Sequence, residues 1–213
     1  WGALGGQMAL GDASPFALQG KVHYQGRLDD VATQGQLGMS GSLLLPQLQG
    51  EINARGLLIA LNGKLAPFDV TPLRRLRQLD LRVGGINPQA FQPAWPQAAL
   101  ALSVQLKPQD ADTVAGGLSL VNSQPGALSA KRLPLSLLWG DFRIHKDTLQ
   151  LPGLTAQLAG GQVTLRGQAS ASALALQLGL TELDSQAVDG SLPAHKVSGT
   201  VAVSGSPQLP ALA

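Results

Sequence analysis

Few side chains in this sequence carry the chemistry of a catalytic or metal site, and those that do are scattered. His23, His145 and His195 stand far apart, with no His-Glu-x-x-His spacing to set two imidazoles on one helix face for zinc. No Gly-x-Ser-x-Gly turn raises a serine nucleophile, and no glycine-rich loop runs into a helix to cradle phosphate. His145 lies in Arg143-Ile144-His145-Lys146-Asp147, a polar, turn-like run between Phe142 and Leu149 where a surface histidine is the ordinary reading. Asp29-Asp30 reads as a loop tip, because neighbours along a strand face opposite ways and make a poor acid/base dyad. Cysteine is absent, which removes disulfides and thiolate metal sites while fitting any compartment. No residue is nominated as catalytic, no cofactor or metal is implied, and the expectation is a protein that is not an enzyme.

One polar cluster remains. Arg74, Arg75 and Arg77 form the densest basic run of the chain. They fall in the one segment that reads as a helix, with Thr71 as its cap, Pro72 in its first turn, and Leu73 and Leu76 on one side; it should run from Pro72 to Gln78 ahead of a strand at Leu79. The arginines are either a solvated helix face tied to nearby carboxylates or a contact for anionic lipid headgroups. Net charge points to no polyanion: 15 Lys+Arg against 13 Asp+Glu leave +2, so nucleic acid is not implied as a partner.

The rest of the chain must be read for what it buries. Its 213 residues are 44% hydrophobic but only 4% aromatic and 13% charged, enough apolar material for a core or groove and no sign of disorder. The period of the apolar positions is two. Leu79, Leu81 and Val83 alternate with polar or small residues, as do Leu100, Leu102, Val104 and Leu106, and again Leu174, Leu176, Leu178 and Leu180; the fold class expected is all-β. A hairpin turn at Gly160-Gly161 would pair Ala159 with Gln162, Leu158 with Val163 and Ala156 with Leu165, putting Ala156, Leu158, Val163 and Leu165 on one face. Asn62-Gly63 is a second hairpin signal, although its flanking apolar positions fall out of step across a simple two-residue loop and require a bulge or a different register. Gly56 marks a similar slip, since Ile52 and Ala54 are even-numbered while Ile59 and Leu61 are odd. No stretch approaches the ~18 to 20 continuous apolar residues of a membrane-spanning helix, and the start lacks the layout of a signal peptide, so a soluble chain is expected.

Between two of these strands lies Ile86-Asn87-Pro88-Gln89-Ala90-Phe91-Gln92-Pro93-Ala94-Trp95-Pro96. Its prolines cannot donate to a ladder and oppose a regular helix, so the chain should leave the sheet near Ile86 and re-enter near Leu100. Phe91 and Trp95 can fold this connector back over a sheet edge; a cation cage would need more converging rings. A shift of 97 residues superposes the surroundings: Leu79, Leu81 and Val83 fall on Leu176, Leu178 and Leu180, Trp95-Pro96 falls on Leu192-Pro193, and Leu100, Val104 and Leu106 fall on Val197, Val201 and Val203, while Leu102 meets Gly199. This reads as an internal repeat, about 79–106 and 176–203. The start, Trp1 without an initiator Met, and the likeness of Leu4–Gly11 to Ala159–Gly167 suggest an excerpt of a longer chain, a single elongated β segment over residues 1–213.

The Leu-x-Leu-x-Val strand, the Pro-punctuated insert and the strand Ala-Leu-Ala-Leu-Ser-Val-Gln-Leu at 99–106 together resemble the TamB and AsmA-like family of Gram-negative envelope proteins. So does 133–168, with its short strands punctuated by glycine; the likeness covers most of Leu43 to Pro207. The family's N-terminal anchor and conserved C-terminal domain are missing, as an internal segment would have it. The resemblance implies a repeat-built, antiparallel-rich sheet curved into an open groove, β-taco-like, with one or two short helical turns. It further implies a periplasmic segment of a bridge from the inner membrane, where the full-length protein is anchored, to the outer membrane, conducting phospholipid or supporting outer-membrane protein assembly. Its partners would be phospholipid acyl chains and, through another part of the protein, a TamA-like outer-membrane barrel. The groove lining would then be the apolar set: Leu79, Leu81, Val83, Leu100, Leu102, Val104, Leu106, Ala156, Leu158, Val163, Leu165, Leu174, Leu176, Leu178, Val197, Val201 and Val203, with Arg74, Arg75 and Arg77 as headgroup contacts.

Alternation alone does not choose this. One face of a closed sandwich, as in a surface adhesin, has the same period, and free sheet edges could instead bind client strands by augmentation or let copies of the chain self-associate. The shortage of aromatics to fill a sealed middle favours the groove, as does a repeat that stacks rungs ~4.8 Å apart.

Overall fold

The structure, a computed structural model, describes residues 1–28, 31–206 and 209–212; Asp29, Asp30 and Pro207 lie outside the described residues. The protein is all-β, as its period-two pattern requires. Among the described residues the strands are β1 (Gly2–Leu10), β2 (Leu18–Leu28), β3 (Val31–Gly41), β4 (Pro46–Ala54), β5 (Leu57–Leu65), β6 (Leu76–Ile86), β7 (Leu100–Pro108), β8 (Thr113–Asn122), β9 (Leu135–His145), β10 (Thr148–Leu158), β11 (Gly161–Ala169), β12 (Leu174–Asp184), β13 (Lys196–Ser206) and β14 (Leu209–Leu212). They form one sheet in which spatial order equals chain order and the last strand does not return to the first. Among the described residues helix is confined to single turns: α1 (Pro88–Phe91), α2 (Ser185–Val188) and 3₁₀ turns at Pro72–Arg75 and Leu128–Ala130. The backbone contacts divide the chain into two compact units, Trp1–Gly85 with Leu102–Val114, and Ile86–Ala101 with the chain from Ala115 onward.

In the first unit a regular register, shifted between Lys64 and Leu65 at the end of β5, carries the apolar alternation from strand to strand. Met8 sits opposite Gly20 and Gly20 opposite Met39; Met39 faces Leu48, Gly35 faces Ile52, Ile52 faces Ile59, and Ile59 faces Val83. Directly paired residues share a face, so one side of β1–β6 collects Leu, Ile, Val and Met. The other collects Gln, Asn, Lys and Glu: Gln25 opposite Gln34, Gln34 opposite Asn53, Gln49 opposite Asn62.

The second unit repeats the arrangement. Ala156 pairs with Leu138 on one side and Val163 on the other; Leu165 pairs with Leu178, and Leu178 with Val201. Thr155, Gln157, Thr164 and Gln177 take the opposite face. Its best-packed part is the end where the long connectors meet. Gln97 N–H donates to the Lys131 carbonyl at 2.8 Å and Gly190 N–H to Ser129 Oγ at 2.9 Å. Asn122, 4% exposed, ties this end together: its Oδ1 accepts from Ala99 N and Gln124 N at 3.2 and 3.1 Å, and its Nδ2 donates to the Leu133 and Leu135 carbonyls at 3.2 and 2.9 Å.

Local readings of the sequence are corrected at four places. The Gly-Gly turn lies one residue earlier: Leu158 pairs with Gly161, and Ala159 and Gly160, at φ of 49° and 75°, are the turn. Both turn positions need the left-handed region. The register moves by two, so Ala156, Leu158, Val163 and Leu165 still share a face. Asn62-Gly63 is no turn but the interior of β5, with Gly63 between Leu48 and Leu79. The hairpin is at Arg55-Gly56, and a two-residue turn pairs even with odd positions, which explains the change of parity there without a bulge. The expected helix at Pro72–Gln78 is a single 3₁₀ turn ending at Arg75, because β5 claims Leu76 and Gln78 through Leu65 and Lys64. Thr71 makes no side-chain cap; its own N–H donates to Asp69 Oδ1 at 2.9 Å. Finally, the Pro-rich insert does leave the sheet at Ile86 and return at Leu100, but Pro88 starts a helical turn, capped by Asn87 Oδ1 accepting from Gln89 N. At a distance of 97 residues Asp184 caps α2 in the same way.

Candidate apolar faces

The predicted lining residues divide between the two units. In the first, Leu79, Leu81 and Val83 stand opposite Gly63, Leu61 and Ile59 and extend the apolar face described above. Along β7, Leu102, Val104 and Leu106 are half-buried while Ser103, Gln105 and Lys107 are exposed. Gln105 shares a shallow cavity with Gln78, Asp80 and Arg82, so Leu102, Val104 and Leu106 point to the side of Leu79, Leu81 and Val83. In the second unit Ala156, Leu158, Val163, Leu165, Leu174, Leu176, Leu178, Val201 and Val203 lie on one face through the pairs Ala156–Val163, Leu165–Leu178, Leu176–Val203 and Leu178–Val201. Val197 joins them opposite Leu183 across the bulge between Leu180 and Leu183. Leu100 departs from the set: it is buried beside the connectors and offers no surface.

Among the described residues no large side chain is fully buried, and the buried hydrophobics lie mostly at strand ends. Ile52, at the middle of the first unit's face, is 45% exposed, and Val197 in the second is 44% exposed. A sandwich core would hide such side chains almost completely. An acyl chain needs only a continuous apolar strip without specific polar contacts, and each unit presents one.

A cavity of about 710 Å³ opens on the polar face of the first unit and is lined by His23, Gln34, Gln36, Glu51, Asn53 and Arg82 among others. Gln36 Nε2 donates to Glu51 Oε2 across it at 3.0 Å. Its wall mixes amides with Ile52, Leu58, Ile59 and Ala60 and is open rather than enclosed, so the apolar candidates remain the sheet faces.

The remaining candidates are quickly placed. Arg77 pairs with Asp69 at 2.9 Å and Arg75 Nε donates to the Asp69 carbonyl at 3.1 Å, while Arg74 is exposed. Phe91 and Trp95, expected to fold back over the sheet, remain half exposed. His145 closes β9 ahead of the Lys146-Asp147 turn. Asp189 is held below the usual carboxylate range by the N–H and hydroxyl of Ser191. Among the described residues no group of His, Asp and Glu is placed to hold a metal ion, and no helix is long and apolar enough to cross a membrane. Sequence reasoning missed Asn122, whose signal was a lone polar residue closing an apolar strand ahead of a Pro-Gly loop. No protein-family model matches the chain, and no curated protein and no solved structure is significantly similar to it.

Proposed function

We propose that the chain is a periplasmic segment of a bridge between inner and outer membranes, and that its apolar sheet faces carry phospholipid by the acyl chains. The observation that carries this reading is the apolar face of each unit, where rows of Leu and Val are only partly buried and no large side chain among the described residues is fully buried. Exposed apolar surface is costly in water, roughly 25 cal/mol per Å², so a face kept open is kept for something that covers it transiently. The resemblance to the TamB and AsmA-like family supplies the lipid and the compartment. Support of outer-membrane protein assembly with a TamA-like barrel belongs to the same reading.

Photocrosslinking in cells tests it, with the probe at Leu102 and in parallel at Ser103. These neighbours lie on opposite faces of β7. Capture of labelled phospholipid at Leu102 and not at Ser103 is the expected result. Capture at neither position, with the Leu102 probe instead disrupting folding, would mean a sealed core and sink the reading.

A further inference from the structure

An antiparallel meander returns alternate connectors to the same end of the sheet. In the first unit the connectors 11–17, 42–45 and 66–75 therefore share one end. The first two are joined directly, Leu43 N–H donating to the Phe16 carbonyl at 2.9 Å and Ala17 bridging Ser42. The pairing of Gln47 with Lys64 sets the start of β4 beside the end of β5, so 42–45 and 66–75 leave the sheet side by side.

This end carries apolar side chains that strand alternation does not explain. Leu44 and Leu45 are more than half exposed, Phe68 is 63% exposed and Val70 is 92% exposed. Beside them Arg74 and Arg75 are exposed. Asp69 is the carboxylate nearest in sequence, and Arg77 already neutralises it; Asp12 is the other acidic residue of the three connectors. Large apolar side chains at loop tips, flanked by guanidinium groups, match the boundary between acyl chains and phosphate headgroups. A second copy is a poor occupant, because a two-fold contact through this patch would bring Arg74 and Arg75 toward their own counterparts.

We propose that this rim docks on an anionic phospholipid bilayer, with Leu44, Leu45, Phe68 and Val70 entering the headgroup boundary and Arg74 and Arg75 meeting lipid phosphates. The proposal is independent of lipid carriage on the sheet faces, since it needs only the three connectors and the adjoining arginines.

Co-sedimentation of the whole chain with vesicles of phosphatidylglycerol and phosphatidylethanolamine, against vesicles of phosphatidylcholine, is the test. Binding to the anionic vesicles is expected to fall about tenfold for Arg74→Glu/Arg75→Glu. A comparable loss is expected for Phe68→Ser/Val70→Ser, whose exposed positions leave folding intact by circular dichroism. Raising salt from about 0.05 to about 0.5 M should also weaken binding, because the screening length shortens. Ser103→Ala, on the exposed face of β7, should leave vesicle binding unchanged, while the rim variants should leave lipid capture at Leu102 unchanged; the two proposals thus fail separately. No binding to anionic vesicles, equal binding to neutral ones, or unchanged binding by both rim variants would overturn the assignment. So would concentration-dependent dimerisation abolished by the rim variants, which would make the rim a contact between copies.

Discussion

Asn122 joins three stretches of backbone through one side chain. Its amide satisfies two N–H groups, of Ala99 and Gln124, and two carbonyls, of Leu133 and Leu135, at a position that is 4% exposed. Removing it takes a partner from four polar groups at once; the Leu133 carbonyl keeps the Gly126 N–H at 3.1 Å, but a buried group left without a partner costs more than an ordinary hydrogen bond contributes. Asn122→Ala should therefore lower stability by about 2–4 kcal/mol in urea denaturation. Asn122→Asp should fare no better, since it loses both donors and sets a carboxylate against two carbonyl oxygens. The caps of the short helical turns are a milder case. Asp184 accepts from Gln186 N and Ala187 N in an exposed setting, and its ion pair with Lys196 at 3.8 Å is half in solvent and worth little. A result in which Asn122→Ala costs no more than about 1 kcal/mol, the ordinary value of an exposed cap, would show that water replaces the amide and that the connectors are not held through it.

At the scale of elements, hairpin turns decide which side chains meet. The turns Arg55-Gly56 and Ala159-Gly160 both use two consecutive left-handed residues, and nothing lies within 4 Å of a side chain placed at Gly56 or Gly160. Gly160→Ala should accordingly cost about 1 kcal/mol for backbone conformation alone, measurable in thermal or urea melts; a neutral effect would mean that the turn relaxes into another type. These turns also show what could be read from sequence. Alternation names strands and faces correctly because the period of two is imposed by backbone pleating, whatever the partner. The bounds of the connector between Ile86 and Leu100 were legible for a similar reason, since proline excludes the ladder by its covalent structure. Register was not. Gly160-Gly161 and Asn62-Gly63 are equally good turn signals locally, and only pairing across the sheet, Lys64 with Gln78 and Gly63 with Leu79, puts the second inside a strand. The same long-range pairing shortened the helix after Thr71. Ala156, Leu158, Val163 and Leu165 share a face in either register because a shift of two residues preserves the face. Leu100, whose parity matches its neighbours, is buried at the start of β7, which alternation alone does not reveal.

At the scale of the whole chain the decisive feature is how each unit is held together. Ladders join sequential strands within each unit, and apolar residues pair along one face, yet no large side chain is fully buried among the described residues. A ligand that covers these faces removes apolar area from water in the folded chain and finds no such surface in the unfolded one. It must then stabilise the fold by mass action, about 2.7 kcal/mol when its free concentration is a hundredfold above Kd. A soluble short-chain phospholipid, used below the concentration at which it forms micelles, should raise the unfolding midpoint. Leu178→Arg/Val201→Arg places two guanidinium groups at directly paired positions of the second unit's face; because those positions are half-buried rather than sealed, the long side chains can reach water and the variant should fold. It should lose the lipid-induced rise, whereas Gln177→Arg, one residue away on the opposite face, should keep it. If both variants respond to lipid as the parent does, the stabilisation arises elsewhere and the apolar faces are not where acyl chains lie. If the double variant does not fold while Gln177→Arg does, the face is covered in solution by another layer, and the open-sheet account of the protein's function fails with it.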